Sequence, residues 1–536
     1  MDLRPGELAW LTDRDRGGLP YGVRLPDGRE VPMVRYDLVT QQMYAGASLV
    51  SGAGNQQYQV TGASLDQPSR IATSVIRRQG KLACNFTSGQ WSINGGAPVL
   101  TQGFTGWDGA GNQTGVVSRT GQPSMLKVVP AANTAEDLTL GSFATNMLTK
   151  ALAGKIGLWV YVENQPGYGP GGSVSGSIEI TVSTNPANNT NALVVGWSSN
   201  QIREGWNFLK FVMRNPLAYQ SGSGVTEYHP FGVACTGFGT GADTNILSTD
   251  AARLKVGWTN MLGATLYFDS IWTDFDTLTQ IVPGNDGGVG LLEYGLPVFQ
   301  QYGWVGYAAF PYRVWASGSK IIPDLNSNTY DTGRQLYSQG WDVTNHTANH
   351  LANGSLTTEG ELAYEVETAR AWQLTFGMPR GAEFYCSPQS STSRLSEAVI
   401  SKLGFKLQRN GRKWNTSITP FGIDNPNNIG SIDMGSASGF GVSSITAGTG
   451  GSVAGFQTAT KIKRAIDVAV AYGDAVFPFW HGITTTGDTG SGDDLTGDNL
   501  LLTKSAFEKS MAHIRAYEVA GSLRVCRGIT GFYYGA

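Results

Sequence analysis

Leu278-Thr279-Gln280-Ile281-Val282-Pro283 reads as a short strand. Gly290-Leu291-Leu292-Glu293-Tyr294-Gly295-Leu296-Pro297-Val298-Phe299-Gln300 follows as a helix, and Gly306-Tyr307-Ala308-Ala309-Phe310 as a second strand. Strand, helix and strand in close succession are the building unit of a parallel α/β sheet or barrel. Downstream, Thr357-Thr358-Glu359-Gly360-Glu361 opens an amphipathic helix with Leu362, Val366, Ala369 and Trp372 on one face. Thr357 is its expected cap. Further helical patterns begin near Leu395, Lys461 and Ser505. Residues 277–536 are therefore expected to form one α/β domain.

Upstream of Asp276 the pattern is different. Short alternating runs stand between Gly-, Asn-, Ser- and Pro-rich turns: Lys155 to Val162, Ser177 to Val182, Trp206 to Val212 and Ala264 to Ile271. Strands of this length and spacing predict an all-β jelly-roll sandwich over residues 46–276. Residues 1–45, one turn after another, read as a separate N-terminal arm. The chain is thus expected to be multidomain.

Composition narrows the function classes. Of 536 residues only 15% are charged while 72 are Gly, and 14 Trp and 21 Tyr argue against disorder. A net charge of −3 lacks the basic excess that neutralises phosphates, so a nucleic-acid partner is not expected. No apolar run is long enough to span a bilayer. The four cysteines, Cys84, Cys235, Cys386 and Cys526, show no metal or disulfide spacing and read as isolated buried thiols. The opening Met1 to Glu7 lacks the basic-then-apolar order of a secretory signal. The chain stays inside, has had a signal trimmed, or leaves by another route such as virion assembly and lysis.

Three segments carry candidate chemistry. Asn345-His346-Thr347-Ala348-Asn349-His350 sets two imidazoles four residues apart, which on one helical turn would face the same way and chelate a cation. The same spacing also fits two polar histidines capping a turn. Asn285-Asp286-Gly287-Gly288 lies just past the first α/β strand, where the carboxyl ends of strands carry active sites. Asp286 there could complete a two-histidine, one-carboxylate site with open positions for water and a carbonyl; an ordinary Asx-Gly turn is the alternative. His481 ends the apolar run Ala475-Val476-Phe477-Pro478-Phe479-Trp480 and suits a partly desolvated general acid or a buried structural histidine.

In order and spacing these segments resemble the polysaccharide deacetylase family of metal-dependent carbohydrate esterases. Pro283-Gly284-Asn285-Asp286-Gly287 is similar to the family's TFDDG motif, and Gly295-Leu296-Pro297 to Tyr302-Gly303 to the helix that follows it. His346-Thr347-Ala348-Asn349-His350 matches HTxxH, with Glu361 and Glu365 in the next helix. Phe384-Tyr385-Cys386-Ser387-Pro388-Gln389 is similar to the proline-containing third motif, Leu403-Gly404-Phe405 to a later segment, and Trp480-His481-Gly482-Ile483 to the last.

The resemblance implies a distorted (β/α) barrel of the deacetylase type. It implies that Asp286, His346 and His350 hold a divalent metal, most often zinc, and that His481 protonates the leaving group. Backbone N–H groups after Pro388 would help to stabilise an oxyanion, with Pro388, Gln389 and Trp480 lining the substrate. The implied reaction is removal of acetyl groups from a bacterial surface or extracellular polysaccharide.

Two positions depart from the pattern. Asn285 stands where the family has its general base, and an amide accepts no proton at neutral pH. Asp342, Asp324, Asp331 and Asp424 are candidate substitutes. Cys386 and Ser387 stand where the family has an arginine beside that base. A rewired mechanism fits both departures, as does a degenerate, non-catalytic glycan-binding or structural tail protein.

The β-rich half resembles the carbohydrate-binding modules attached to such esterases, most clearly at Tyr267-Phe268-Asp269-Ser270-Ile271-Trp272. Exposed aromatics there would stack on sugars, although Trp91, Trp107, Trp159, Trp197 and Trp206 are expected mainly to fill its core. The segment from Val31 to Thr40 resembles short arms of phage or prophage tail proteins. The implied setting is extracellular or virion-associated, with attachment or homo-oligomer formation through that arm.

Overall fold

The computed structural model describes strands between residues 9 and 44, strands and short connections between 76 and 273, and most of 275–311, 329–409, 458–494 and 501–534. Strand pieces at 418–419, 422–423 and 431–434 complete the described residues. The chain divides into two compact units, Met1–Gln67 and Pro68–Ala536. In the first, Ala9–Asp13, Leu19–Arg24 and Glu30–Pro32 form a three-stranded antiparallel sheet, and Arg35–Asp37 pairs with Gln42–Tyr44.

The second unit begins with two antiparallel sheets. One is built round Lys155–Glu163, flanked by Gly205–Val212 and Thr265–Thr273; the other runs through Ala192–Ser198, Ser177–Ser183 and Arg253–Thr259. Side chains cross between them: Trp197 Nε1 donates to the Lys210 carbonyl at 3.0 Å, and the Trp258 and Phe268 rings lie 6.0 Å apart. Trp159 and Trp197 are buried, as expected, and Trp206 is half-buried. Trp107 and the side chain of Trp91 lie outside the described residues.

Among the described residues, the remainder is dominated by a parallel sheet, beside which Ile418–Thr419 and Gly422–Ile423 form a small antiparallel pair. The strands of the parallel sheet are β1 (Thr279–Ile281), β2 (Gly284–Val289), β3 (Tyr307–Phe310), β4 (Asp342–Asn345) and β5 (Phe384–Cys386). After them come β6 (Leu407–Arg409), β7 (Ser431–Asp433), β8 (Ala475–Thr484), β9 (Leu501–Thr503) and β10 (Leu523–Val525). The order is β6-β5-β4-β3-β2-β8-β1-β10, with β7 and β9 also on β8. The helices are α1 (Leu296–Tyr302), α2 (Thr329–Ser338), α3 (Glu359–Thr375), α4 (Arg394–Lys402), α5 (Ala459–Tyr472), α6 (Lys504–Val519) and α7 (Gly528–Tyr534).

Strand alternation sorts the apolar side chains into two layers. Val282, Tyr307, Ala309, Phe384, Cys386, Leu407, Phe477 and Phe479 fill the inside of the curl, together with Ile529, Phe532 and Tyr533 of α7. Ala308, Phe310, Val343, Val476 and Trp480 face outward onto α1, α5 and α6. The sheet must curl, because Arg409 on β6 bonds Asp286 on β2. Four strand steps along a flat sheet span roughly 19 Å, farther than an arginine reaches.

Local expectations shift in three places. The Asn285-Asp286-Gly287-Gly288 segment lies just past β1, as expected, but is itself part of β2 and not a turn, with irregular register between Asn285 and Val289. Thr358, not Thr357, caps α3: its hydroxyl accepts from the Glu361 N–H while Glu361 reaches back to the Thr358 N–H. Helices α2 and α7 had no expectation attached to them. Within the second unit the antiparallel sheet is fastened to the α/β part by a fully buried ion pair, Lys210 Nζ to Asp474 Oδ1 at 2.8 Å. Arg394 at the start of α4 adds a second pair, to Glu204.

Candidate active site

The residues singled out by sequence gather at the carboxyl ends of the parallel strands. Asp286 is on β2, His346 directly follows β4, Ser387 and Pro388 follow β5, and His481 is on β8. Strand β8 continues past His481 to Thr484, so the histidine is an interior strand residue and not the strand's end. It is half-buried, its ring 5.5 Å from Phe479.

The two imidazoles do not ride on a helical turn. Residues 346–350 form a loop in which Thr347 (φ 64°) and His350 (φ 58°) adopt the left-handed conformation that side chains disfavour. Side-chain bonds hold this shape. Asn345 Oδ1 accepts from the Thr347 N–H at 3.1 Å, Thr347 Oγ1 from the His350 N–H at 3.0 Å, and Glu365 of α3 from the Asn349 N–H at 2.8 Å. The outcome is the juxtaposition that a helix would have supplied: ring centroids 4.9 Å apart.

His346 Nδ1 lies 2.8 Å from the Cys386 carbonyl, which can only accept, so the proton sits on Nδ1 and Nε2 is left as the donor atom for a ligand. Burial, then the neighbouring His350 and Arg409, hold its pKa well below the ordinary histidine value. Burial lowers that of His350 as well, against the pull of Asp286. Both are kept neutral, the form in which imidazole binds metals.

Arg409 is the residue that sequence reasoning missed. Expected to have no counterpart beside the third motif, a guanidinium arrives from the next strand. Arg409 Nη2 donates to Asp286 Oδ2 at 2.5 Å and Nη1 to the Tyr307 hydroxyl at 3.1 Å, with the Phe479 ring 4.2 Å from the guanidinium carbon. The only available signal was a charged residue in a short strand with apolar Leu407 two positions earlier. Tyr307 owes its place to Gly284, where a Cβ would stand 2.1 Å from the tyrosine ring.

Asp286 is 6% exposed, and its Oδ1 is buried with no hydrogen-bond partner. A bare carboxylate oxygen and two neutral imidazoles are, by donor chemistry, a fit for a divalent cation. Among the described residues, however, no group of three His, Cys, Asp or Glu side chains stands close enough to hold an ion as placed. The charges of Asp286 and His481 act on His350, but a cation would have to draw the donors together.

Other expectations are redistributed. Asn285 is fully buried, its Nδ2 donating to the Trp480 carbonyl at 3.0 Å, and its Oδ1 has no partner. Trp480, expected to line the substrate, is fully buried between Phe299 and Phe507 in the outer layer; only its carbonyl bears on the site. Gln389 (φ 51°) bonds the His350 carbonyl at 3.4 Å, tying the loop after Pro388 to the histidine loop. Asp342, a candidate base, sits at the amino end of β4, where it accepts from Thr530 and Arg380, at the wrong end of the strand. Asp324, Asp424 and the side chain of Asp331 lie outside the described residues. Cys386 and Cys526 are buried free thiols; the side chains of Cys84 and Cys235 are not described.

No family model and no curated protein matches this chain. Solved structures with similarity to it include the family 4 carbohydrate esterase domain of a xylanase from the hindgut metagenome of Trinervitermes trinervoides (11% identity, 48% of this chain and 90% of that one, TM-score 0.30). Another is a family 4 carbohydrate esterase from Streptomyces lividans in complex with acetate (12%, 47% and 91%, 0.27). A third is a pseudoenzyme of the same esterase family from Bacillus anthracis (10%, 47% and 65%, 0.29). At these identities and TM-scores the functional reading rests on the site's own residues.

Proposed function

We propose that the chain is a divalent-metal-dependent hydrolase removing acetyl groups from a bacterial surface or extracellular polysaccharide. What supports the reading is Asp286, with a bare buried oxygen and a charge that acts on His350, together with His346, whose ring lies 4.9 Å from that of His350 and whose Nε2 is left open by the Cys386 carbonyl. Asp286, His346 and His350 would hold the cation, most often zinc. Such an ion, when bound, supplies a Lewis acid for the acetyl carbonyl and acidifies a water. His346 keeps its donor nitrogen aimed by the backbone, and the strained histidine loop holds His350 beside it. His481, half-buried on β8, would return a proton to the departing sugar oxygen or nitrogen. The antiparallel sheets ahead of the barrel would hold the glycan.

A second reading has its own support. Asn285 stands at the position of the general base with its amide committed to the Trp480 carbonyl, an arrangement that suits a glycan-binding or structural protein without turnover. Acetate release from acetylated glycans by the full chain separates the two. The first reading predicts release that His346→Ala abolishes. Zinc binding without acetate from any acetylated glycan would favour the second.

A further inference from the structure

We propose that Arg409 is a positioning residue that shares Asp286 with the cation and sets the site's metal affinity low; this rests on the metal-dependent reading above. The guanidinium is built into place and is no surface rotamer. It is 1% exposed, bonded to Tyr307, stacked on Phe479 and paired with Asp286 Oδ2. Tyr307 is in turn seated over Gly284, two residues before Asp286 on the same strand face. Gly284, Tyr307, Arg409 and Asp286 thus form one connected unit across the inside of the curl.

Two effects on a cation oppose each other. By holding Oδ2, Arg409 pre-orients the carboxylate, which favours binding. By standing within hydrogen-bonding distance of a ligand residue, it also sets a fixed positive charge next to a second one. Orientation adds little, because Asp286 is already confined by β2 and by burial. Like charges a few ångströms apart in a protein interior repel strongly enough to weaken binding by about tenfold or more. Repulsion wins. The same charge explains how a buried carboxylate is tolerated when no cation is bound, since an unpaired buried charge is costly.

The test is calorimetric titration of zinc into the chelator-treated full chain and its Arg409→Met and Arg409→Gln variants, with melting curves to establish folding. Arg409→Met is expected to bind zinc about tenfold or more tighter than the wild type. Equal or weaker binding by a cooperatively melting Arg409→Met overturns the proposal while leaving the metal-dependent reading intact. If Arg409→Met does not fold, Arg409→Gln decides, because it removes the charge but keeps a hydrogen-bond donor toward Asp286: tighter binding than wild type supports the proposal, and equal or weaker binding overturns it. No zinc binding by any of the three chains overturns both this inference and the reading on which it rests.

Discussion

His346 and Cys386 meet through an imidazole Nδ1 and a main-chain carbonyl at 2.8 Å, so the backbone of one strand dictates the tautomer of a side chain that follows its neighbour. A hydrogen bond of this kind survives substitution of the cysteine. The thiol itself is a packing group: burial pushes its pKa up to about 11, far from a reactive thiolate. The chemistry of this segment therefore lies in main-chain geometry.

Asn285→Asp tests the missing base. A positioned carboxylate contributes on the order of 10²–10⁴-fold. Position 285 is fully enclosed, and its side chain meets the Trp480 carbonyl. Under the leading proposal the wild type releases acetate slowly and Asn285→Asp accelerates it by on the order of 10²-fold or more. A wild type with no acetate release that the substitution awakens would identify the non-catalytic reading.

Asp342 predicts a pH-dependent stability term. Burial raises its pKa from 3.8 to about 6, against the pull of Thr530 and Arg380. The folded state therefore holds this proton more tightly than the unfolded chain. Stability falls as pH rises from about 4 to about 6, by about 3 kcal/mol from this group, and no further above that. Urea titrations at pH 4, 5, 6 and 7 should show that slope in the wild type and its loss in Asp342→Asn. Parallel slopes would contradict the assignment.

The Lys210–Asp474 pair predicts an asymmetry. Both side chains are at most 1% exposed, so Lys210→Met removes the ammonium from an enclosed carboxylate. A loss of about 3–5 kcal/mol is expected in chemical denaturation. Exchanging both residues for apolar ones of similar size should recover most of it. Equal losses in the single and double variants would mean that the pair matters through packing alone.

Much of the curled parallel sheet was legible in residue patterns. The face Leu362, Val366, Ala369 and Trp372 is the buried face of α3, and the apolar runs at 307–310 and 475–480 are strands. Other features were hidden for physical reasons. Spacing sets how far apart two histidines are along the chain but not whether a helix or a strained loop joins them. Asp342 precedes His346 by four residues, yet a strand rises about 3.3 Å per residue, so the two belong to opposite ends of β4. Trp480 shares strand parity with Val476 and so faces the helices, a conclusion that period two alone would have supported. The Arg409–Asp286 contact depends on the curl of the whole sheet, which no local pattern encodes.

The central claim is that Asp286, His346 and His350 form one cation site. Its most direct test is equilibrium dialysis of the full chain and of Asp286→Ala and His350→Ala against saturating zinc, with the bound metal counted by elemental analysis against the dialysate. The account predicts close to one zinc per wild-type chain and its loss in both variants. A wild type that retains none, or variants that retain as much as the wild type, would contradict it.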